Sequence, residues 1–193
     1  ARQVRDAKAK VLEHVKVHNV ILGQYDGYRD EPGVASNSLT ETFAALKVTI
    51  ENDRWRGVPF YLKAGKNLDR KEASIHIKFR MVKCLLDWCP SDSNYLTIKI
   101  HPDEGIYLDL NVKKPGFNNA VTPVTMELCH SSIFGPNTPE AYEILLADVI
   151  KGDQCAFVRS DEIILSWKII EQIGTLEKKL YTYKKGTRGP AEL

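Results

Sequence analysis

The sequence predicts an α+β fold, with one large, mainly antiparallel sheet and helices packed on one face. Three observations carry that prediction. Strand-type runs follow one another between Thr42 and Cys129, with apolar side chains recurring at every second position in most of them. Helix-type periodicity is concentrated toward the two ends of the chain. No linker, internal repeat or low-complexity segment divides the 193 residues, which suits a single domain with a sizeable core.

Taken in order, Arg2 to Lys16 reads as a helix, because Val4, Val11, Leu12 and Val15 fall near one face. Its abrupt start predicts that Ala1 is a cut point within a longer protein. Asn19 to Gln24 is a short apolar run closed by Gly23 and Gly27, as in a buried strand. Tyr28 to Leu39 is polar and rich in breakers, which predicts a loop. Thr42 to Ile50 alternates loosely, one face apolar and the other mixed. Ser74 to Met81 alternates more clearly, placing Ile75, Ile77, Phe79 and Met81 inward and His76, Lys78 and Arg80 outward. Tyr95–Ile100 and Ile106–Val112 flank the turn HPDEG and read as a hairpin, with Thr97, Lys99, Asp109 and Asn111 outward. Val124 to Cys129 reads as another strand.

Two helices follow. Thr138 is a candidate N-cap with Pro139 at the first helical position, and Tyr142, Leu145, Leu146 and Val149 form an apolar face. Ser160 is the candidate cap of the second, with Asp161 and Glu162 at the positive end of its dipole and a stripe of Ile163, Ile164, Trp167 and Ile170. From Leu180 the tail carries glycines and a proline and reads as irregular.

The segment Asn52–Lys71, NDRWRGVPFYLKAGKNLDRK, organises the rest. It turns at Gly57, crosses the apolar run Val58–Leu62, and breaks at Gly65 beside Lys66, with Lys71 five positions on. A lysine is a point charge on a flexible stem, suited to an anion such as a phosphate, and a glycine lets a ligand approach the backbone or takes a positive φ. A solvated strand end entering a basic loop is the plainer alternative.

Composition narrows the functional classes. A net charge of +2 argues against wholesale nucleic-acid binding. No apolar run approaches the length of a membrane-spanning helix, and the N-terminus lacks the apolar centre of a signal peptide. Four cysteines are too sparse for a disulfide scaffold, and the Cys84–Cys89 spacing has no second ligand pair to complete a zinc site. They read as free thiols in a reducing cytosol. The histidines are scattered, and no residue constellation assembles a catalytic centre or a dinucleotide-binding fingerprint.

The stretch around Trp55 fits the pattern N-x-R-W-x-G-V-P-F-x-x-x-x-G-K at Asn52, Arg54, Trp55, Gly57, Val58, Pro59, Phe60, Gly65 and Lys66. Together with VRDAKAKVL, VILGQYDGY, TFAAL, KKPG, EAYEILLADVIKGD, FVRSDE and GTRGPAEL, it resembles the C-terminal half of the glucose-6-phosphate dehydrogenases over nearly all of the chain. Only Met81–Ser93 and Ala120–Phe134 match weakly. The resemblance implies oxidation at C1 of glucose 6-phosphate to 6-phosphogluconolactone with NADP, with the histidine base and the main coenzyme site in a part that precedes this chain. It implies a fragment inactive alone that supplies one wall of the sugar-phosphate pocket. It also implies a cytoplasmic enzyme that is a homodimer or tetramer through its sheet, with neither nucleic acid nor membrane as partner. A stand-alone sugar-phosphate binding module is the alternative.

Residue by residue, the resemblance implies that Lys66 reaches the substrate and that Lys71 assists it, while His101 stands where many members place a glutamine near the sugar. Some members hold a second, structural NADP. Arg188 and Tyr107 match that site, and Lys63 and Lys99 replace arginines there. Glu72, His76 and Asp109 stand where basic groups are expected, and two carboxylates repel a phosphate. Weak or absent structural NADP binding follows.

Overall fold

A computed structural model describes residues 2–81, 93–118, 120–135, 139–176 and 179–193. The chain divides into two compact units, one formed by Ala1–Arg70 with Ala141–Leu193 and the other by Lys71–Glu140. The expected run of antiparallel strands is present alongside helices, as an α+β fold. The strands lie in two four-stranded sheets, however, where one large sheet was expected. Alternating patterns specify which residues share a face; they do not specify which strand continues a ladder.

In the first unit, helix α1 (Arg2–Leu12) leads into strand β1 (Val15–Tyr25). The helix ends earlier than its periodicity predicts, because β-branched Val15 and Val17 pair with Ile50 and Val48 of β2 (Phe43–Ile50). Strand β3 (Phe60–Gly65) runs antiparallel to β2, with Phe43 opposite Gly65. The tail expected to be irregular contributes β8 (Leu180–Tyr183), parallel to β1, giving the order β3-β2-β1-β8. Its breakers, Gly186, Gly189 and Pro190, all fall beyond the strand. Leu180, Tyr181, Thr182 and Tyr183 are strand-favouring residues that satisfy the open edge of β1.

The core of this unit is aromatic. Phe43 is 2% exposed and packs with Tyr25 and Tyr183, flanked by Tyr28, Ala45 and Leu68. The Phe43 and Tyr183 rings meet edge to face at 5.7 Å, and Tyr25 meets Tyr28 likewise at 5.4 Å. Two glycines make room for the Phe43 ring. A Cβ at Gly65 would lie 2.7 Å from Cδ2, and one at Gly189 would lie 2.5 Å from Cε2. Gly189 also takes φ +118°, a conformation side-chain-bearing residues rarely adopt.

Helices α3 (Ala141–Lys151) and α4 (Ser160–Ile173) complete the unit. The proposed cap at Thr138 lies outside the described residues. Helix α4 includes Ser160 itself, and the cap position is Arg159, whose backbone N–H donates to the buried Glu162 carboxylate. The Arg159 guanidinium grips Asp161 through two bonds of 2.6 Å and reaches Asp6 of α1 at 2.7 Å. The bonds from Arg159 hold the Asp161 carboxyl below its usual range. At the far end of α4, the Gln172 amide accepts from Val17 N–H and donates to Val15 C=O, fastening the helix to β1.

The second unit is a meander of β4 (Ala73–Lys78), β5 (Tyr95–His101), β6 (Gly105–Lys113) and β7 (Val121–Cys129), in sequential order, followed by the short helix α2 (His130–Phe134). The register puts Ile75, Ile98, Ile106 and Leu128 in one row and Ile77, Leu96, Leu108 and Met126 in the next. The apolar face is therefore assigned correctly. Its residues are not buried: Ile75 is 49% exposed and Met126 60%. Cys84 and Cys89 lie outside the described residues.

The Phe43 packing yields a direct expectation. Gly189→Ala forces the ring to move and strains the backbone, and should lower stability by about 2–4 kcal/mol. Thermal unfolding of the two proteins checks it. An unchanged melting temperature would show that the ring is not confined as described.

Candidate functional site

Strand β3 delivers Lys66 to its C-terminal end. The Lys66 N–H donates to Thr42 C=O at 2.8 Å, continuing the β2–β3 ladder one step past the strand. The next residue, Asn67, takes the left-handed conformation at φ 50° and turns the chain. A second layer of bonds then ties the loop to the tail. Leu68 bridges Thr187, Gly186 N–H donates to Asn67 C=O at 2.8 Å, and Asp69 N–H donates to Thr187 C=O at 2.9 Å.

Gly65 has a different reason from the one its position beside a lysine suggests. It is not a positive-φ residue, and its missing Cβ is space for the Phe43 ring rather than for a ligand. The turn chemistry belongs to Asn67, whose short polar side chain tolerates the left-handed region.

The Lys66 side chain is exposed, and its ammonium has no ion-pair or hydrogen-bond partner among the described residues. Lys71 is exposed likewise and opens the second unit. Between them in sequence, the Asp69 carboxylate forms ion pairs with Arg70 at 3.6 Å and with Arg188 at 3.7 Å. The Asp69 carboxylate is thus engaged by two arginines, and among the described residues no ion pair competes with an external anion for the Lys66 cation.

Of the remaining candidates, Lys63 points from β3 as an exposed residue opposite Ala45, and Arg188 lies in the tail of the same unit. Lys99 and Tyr107 belong to the second unit and are brought together, with the ammonium 4.8 Å from the ring centroid. The Tyr107 hydroxyl lies 3.8 Å from the Cys129 sulfur, and that bond, with burial, raises its pKa. On the same sheet Asp109 accepts from Thr125 at 2.6 Å. Ser74 donates its single hydroxyl proton to Glu72 at 2.8 Å, so the His76 ring supplies Nε2–H to Ser74, and its Nδ1 lies 3.1 Å from the Thr97 hydroxyl. His101 is exposed at the end of β5. Among the described residues no group of three His, Cys, Asp or Glu side chains is placed to hold a metal, and no helix is long and apolar enough to cross a membrane.

What sequence reasoning missed is the contribution of the tail. Gly186, Thr187 and Tyr183 all bond the Lys66–Asp69 loop. The Tyr-Thr-Tyr alternation at 181–183 was the available strand signal, obscured by the glycines that follow it.

The family profile "Glucose-6-phosphate dehydrogenase, C-terminal domain" matches residues 1–193. The cytoplasmic isoform of glucose-6-phosphate 1-dehydrogenase from Solanum tuberosum is 41% identical over 98% of this chain, which spans 39% of that relative. Glucose-6-phosphate 1-dehydrogenase from Chlamydia pneumoniae is 39% identical over the whole chain, spanning 42% of that relative. A solved glucose-6-phosphate dehydrogenase in complex with its substrate glucose-6-phosphate superposes with a TM-score of 0.88 at 36% identity, over 98% of this chain and 43% of that one. The structure of glucose-6-phosphate 1-dehydrogenase from Mycobacterium avium gives 0.82 at 30% identity, over all of this chain and 42% of its own. The chain spans about two fifths of the proteins it matches, and it belongs to the glucose-6-phosphate dehydrogenase C-terminal domain family.

Proposed function

We propose that this chain is the substrate-binding and subunit-contact part of an NADP-dependent glucose-6-phosphate dehydrogenase, the activity that commits glucose 6-phosphate to the pentose phosphate pathway. The reaction removes a hydride from C1 of glucose 6-phosphate to NADP and leaves 6-phosphogluconolactone. No residue of this chain is given a role in hydride or proton transfer. Those roles, with the main coenzyme site, belong to the remaining part of the enzyme, and this chain alone is inactive. A cytoplasmic location accords with the cytoplasmic plant relatives.

The observation that carries the proposal is the Lys66 ammonium, which is exposed and, among the described residues, unpaired, on a backbone fixed at the end of β3. A phosphate or sugar oxygen arriving there gains a charge-assisted hydrogen bond and displaces no internal ion pair. The family resemblance gives Lys71 as the assisting cation. The exposed face of the second sheet supplies surface for a homodimer or tetramer.

The same exposed lysines are tested directly. In the active enzyme, Lys66→Ala should raise KM for glucose 6-phosphate about 10- to 150-fold, the worth of a hydrogen bond to a charged group. The KM for NADP should stay within about twofold. A KM for the sugar that does not change would remove Lys66 from the site. Micromolar binding of glucose 6-phosphate by the isolated chain in calorimetry would favour a stand-alone sugar-phosphate module instead.

We further propose that a second, structural NADP is bound weakly or not at all. Arg188 is engaged with Asp69, and Lys99 and Tyr107 share their sheet with Asp109 and Glu72, whose charges oppose a 2′-phosphate. Titration of NADP into this chain should show no binding tighter than about millimolar. A micromolar complex would contradict it.

A further inference from the structure

Residue 66 is held at both backbone ends by groups that are themselves buried. Its N–H donates to Thr42 C=O at 2.8 Å, and its C=O accepts from the Tyr183 hydroxyl at 2.7 Å. Thr42 and Tyr183 are 9% and 3% exposed, so the two groups that hold residue 66 are themselves withdrawn from water, and the Tyr183 bond is part-buried. The Tyr183 hydroxyl carries one proton. Its contact to Lys66 C=O is shorter than that to Thr42 C=O, at 3.2 Å, and the Thr42 hydroxyl completes its shell at 3.1 Å. Thr42 Oγ1 in turn accepts from Tyr25 N–H at 3.0 Å. A chain of bonds thus runs from the β1 backbone through Thr42 and Tyr183 to the carbonyl of the lysine.

Resting on the reading of Lys66 as a substrate contact, we propose that Tyr183 is a positioning residue for glucose 6-phosphate binding. Its hydroxyl fixes the peptide from which the Lys66 ammonium is presented. Among the described residues the lysine side chain has no partner that would orient it, so the direction of its Cα–Cβ bond is what the backbone bonds control. A peptide pinned at donor and acceptor leaves only the side-chain rotamers to be ordered on binding, which lowers the entropic cost of the complex. Tyr183 touches neither substrate nor reacting atoms. It also belongs to the tail, 117 residues away in sequence, so the tail shapes a site it does not line.

Tyr25 supplies the control. It belongs to the same aromatic core and is 8% exposed, but its hydroxyl donates to Glu31 rather than to the Lys66 loop. In the active enzyme, Tyr183→Phe keeps the ring and removes only the hydroxyl. It should raise KM for glucose 6-phosphate about 3- to 10-fold, the worth of one neutral hydrogen bond, with kcat and KM for NADP within about twofold. Tyr25→Phe should leave all three unchanged. In a Lys66→Ala background, Tyr183→Phe should have no further effect, since the group it positions is gone.

An unchanged KM in Tyr183→Phe, with Lys66→Ala still impaired, overturns the positioning role and leaves the substrate contact standing. Equal effects of the two phenylalanine variants, or an additive double mutant, reduce Tyr183 to a structural residue. A Lys66→Ala enzyme with normal KM removes the substrate contact and the positioning role together.

Discussion

Everything placed near the candidate site depends on one ring. Phe43 fills the space left by two missing Cβ atoms, at Gly65 and Gly189. Those glycines belong to segments far apart in sequence: one immediately precedes Lys66, the other closes the tail. The ring therefore acts as a common wall between them. Adding a Cβ on either side would push the β3 end and the tail apart, and the bonds from Gly186 and Thr187 to the Asn67–Asp69 backbone depend on that closeness. An edge-to-face contact with Tyr183 then brings the phenol over the Lys66 peptide.

The two sheets solve different problems. In the first unit, helix α4 is fastened at both ends, by Arg159 to Asp6 of α1 and by Gln172 to β1, and the strands below it hold a closed aromatic core. In the second, four consecutive antiparallel strands present a regular apolar face whose rows stay half exposed. The opposite face is a lattice of short polar bonds, from Glu72 through Ser74 and His76 to Thr97 and from Asp109 to Thr125.

Much of this was legible in the residues. Alternation located β2, β4, β5 and β6 and assigned the faces of the second sheet, because a period of two leaves no ambiguity about which side chains share a side, while short apolar runs pointed to β1 and β3. Element ends were less legible. Val15 and Val17 continue a helical pattern on paper, yet pair with Val48 and Ile50 in the sheet. The eighth strand was hidden because its partner is β1, more than 150 residues earlier, and parallel pairing leaves no local turn to announce it. Gly65 was noticed for its position beside a lysine, whereas its role is decided by a phenylalanine that arrives from another strand. Side-chain volume across a ladder cannot be read from spacing along one strand. Lys66 and Lys71 stand out for a different reason: spacing shows only two cations near a strand end, and their proposed contact with the sugar comes from the family motif around them.

In the proposed role, a backbone held by Thr42 and Tyr183 presents the Lys66 ammonium, unpaired among the described residues, to a phosphorylated sugar. A crystal structure of the complete enzyme with glucose 6-phosphate bound tests it most directly. The account predicts the Lys66 Nζ within about 3 Å of an oxygen of the ligand, with the Thr42 and Tyr183 bonds to the Lys66 peptide intact. A ligand held entirely by other groups, with Lys66 turned to solvent, would contradict it.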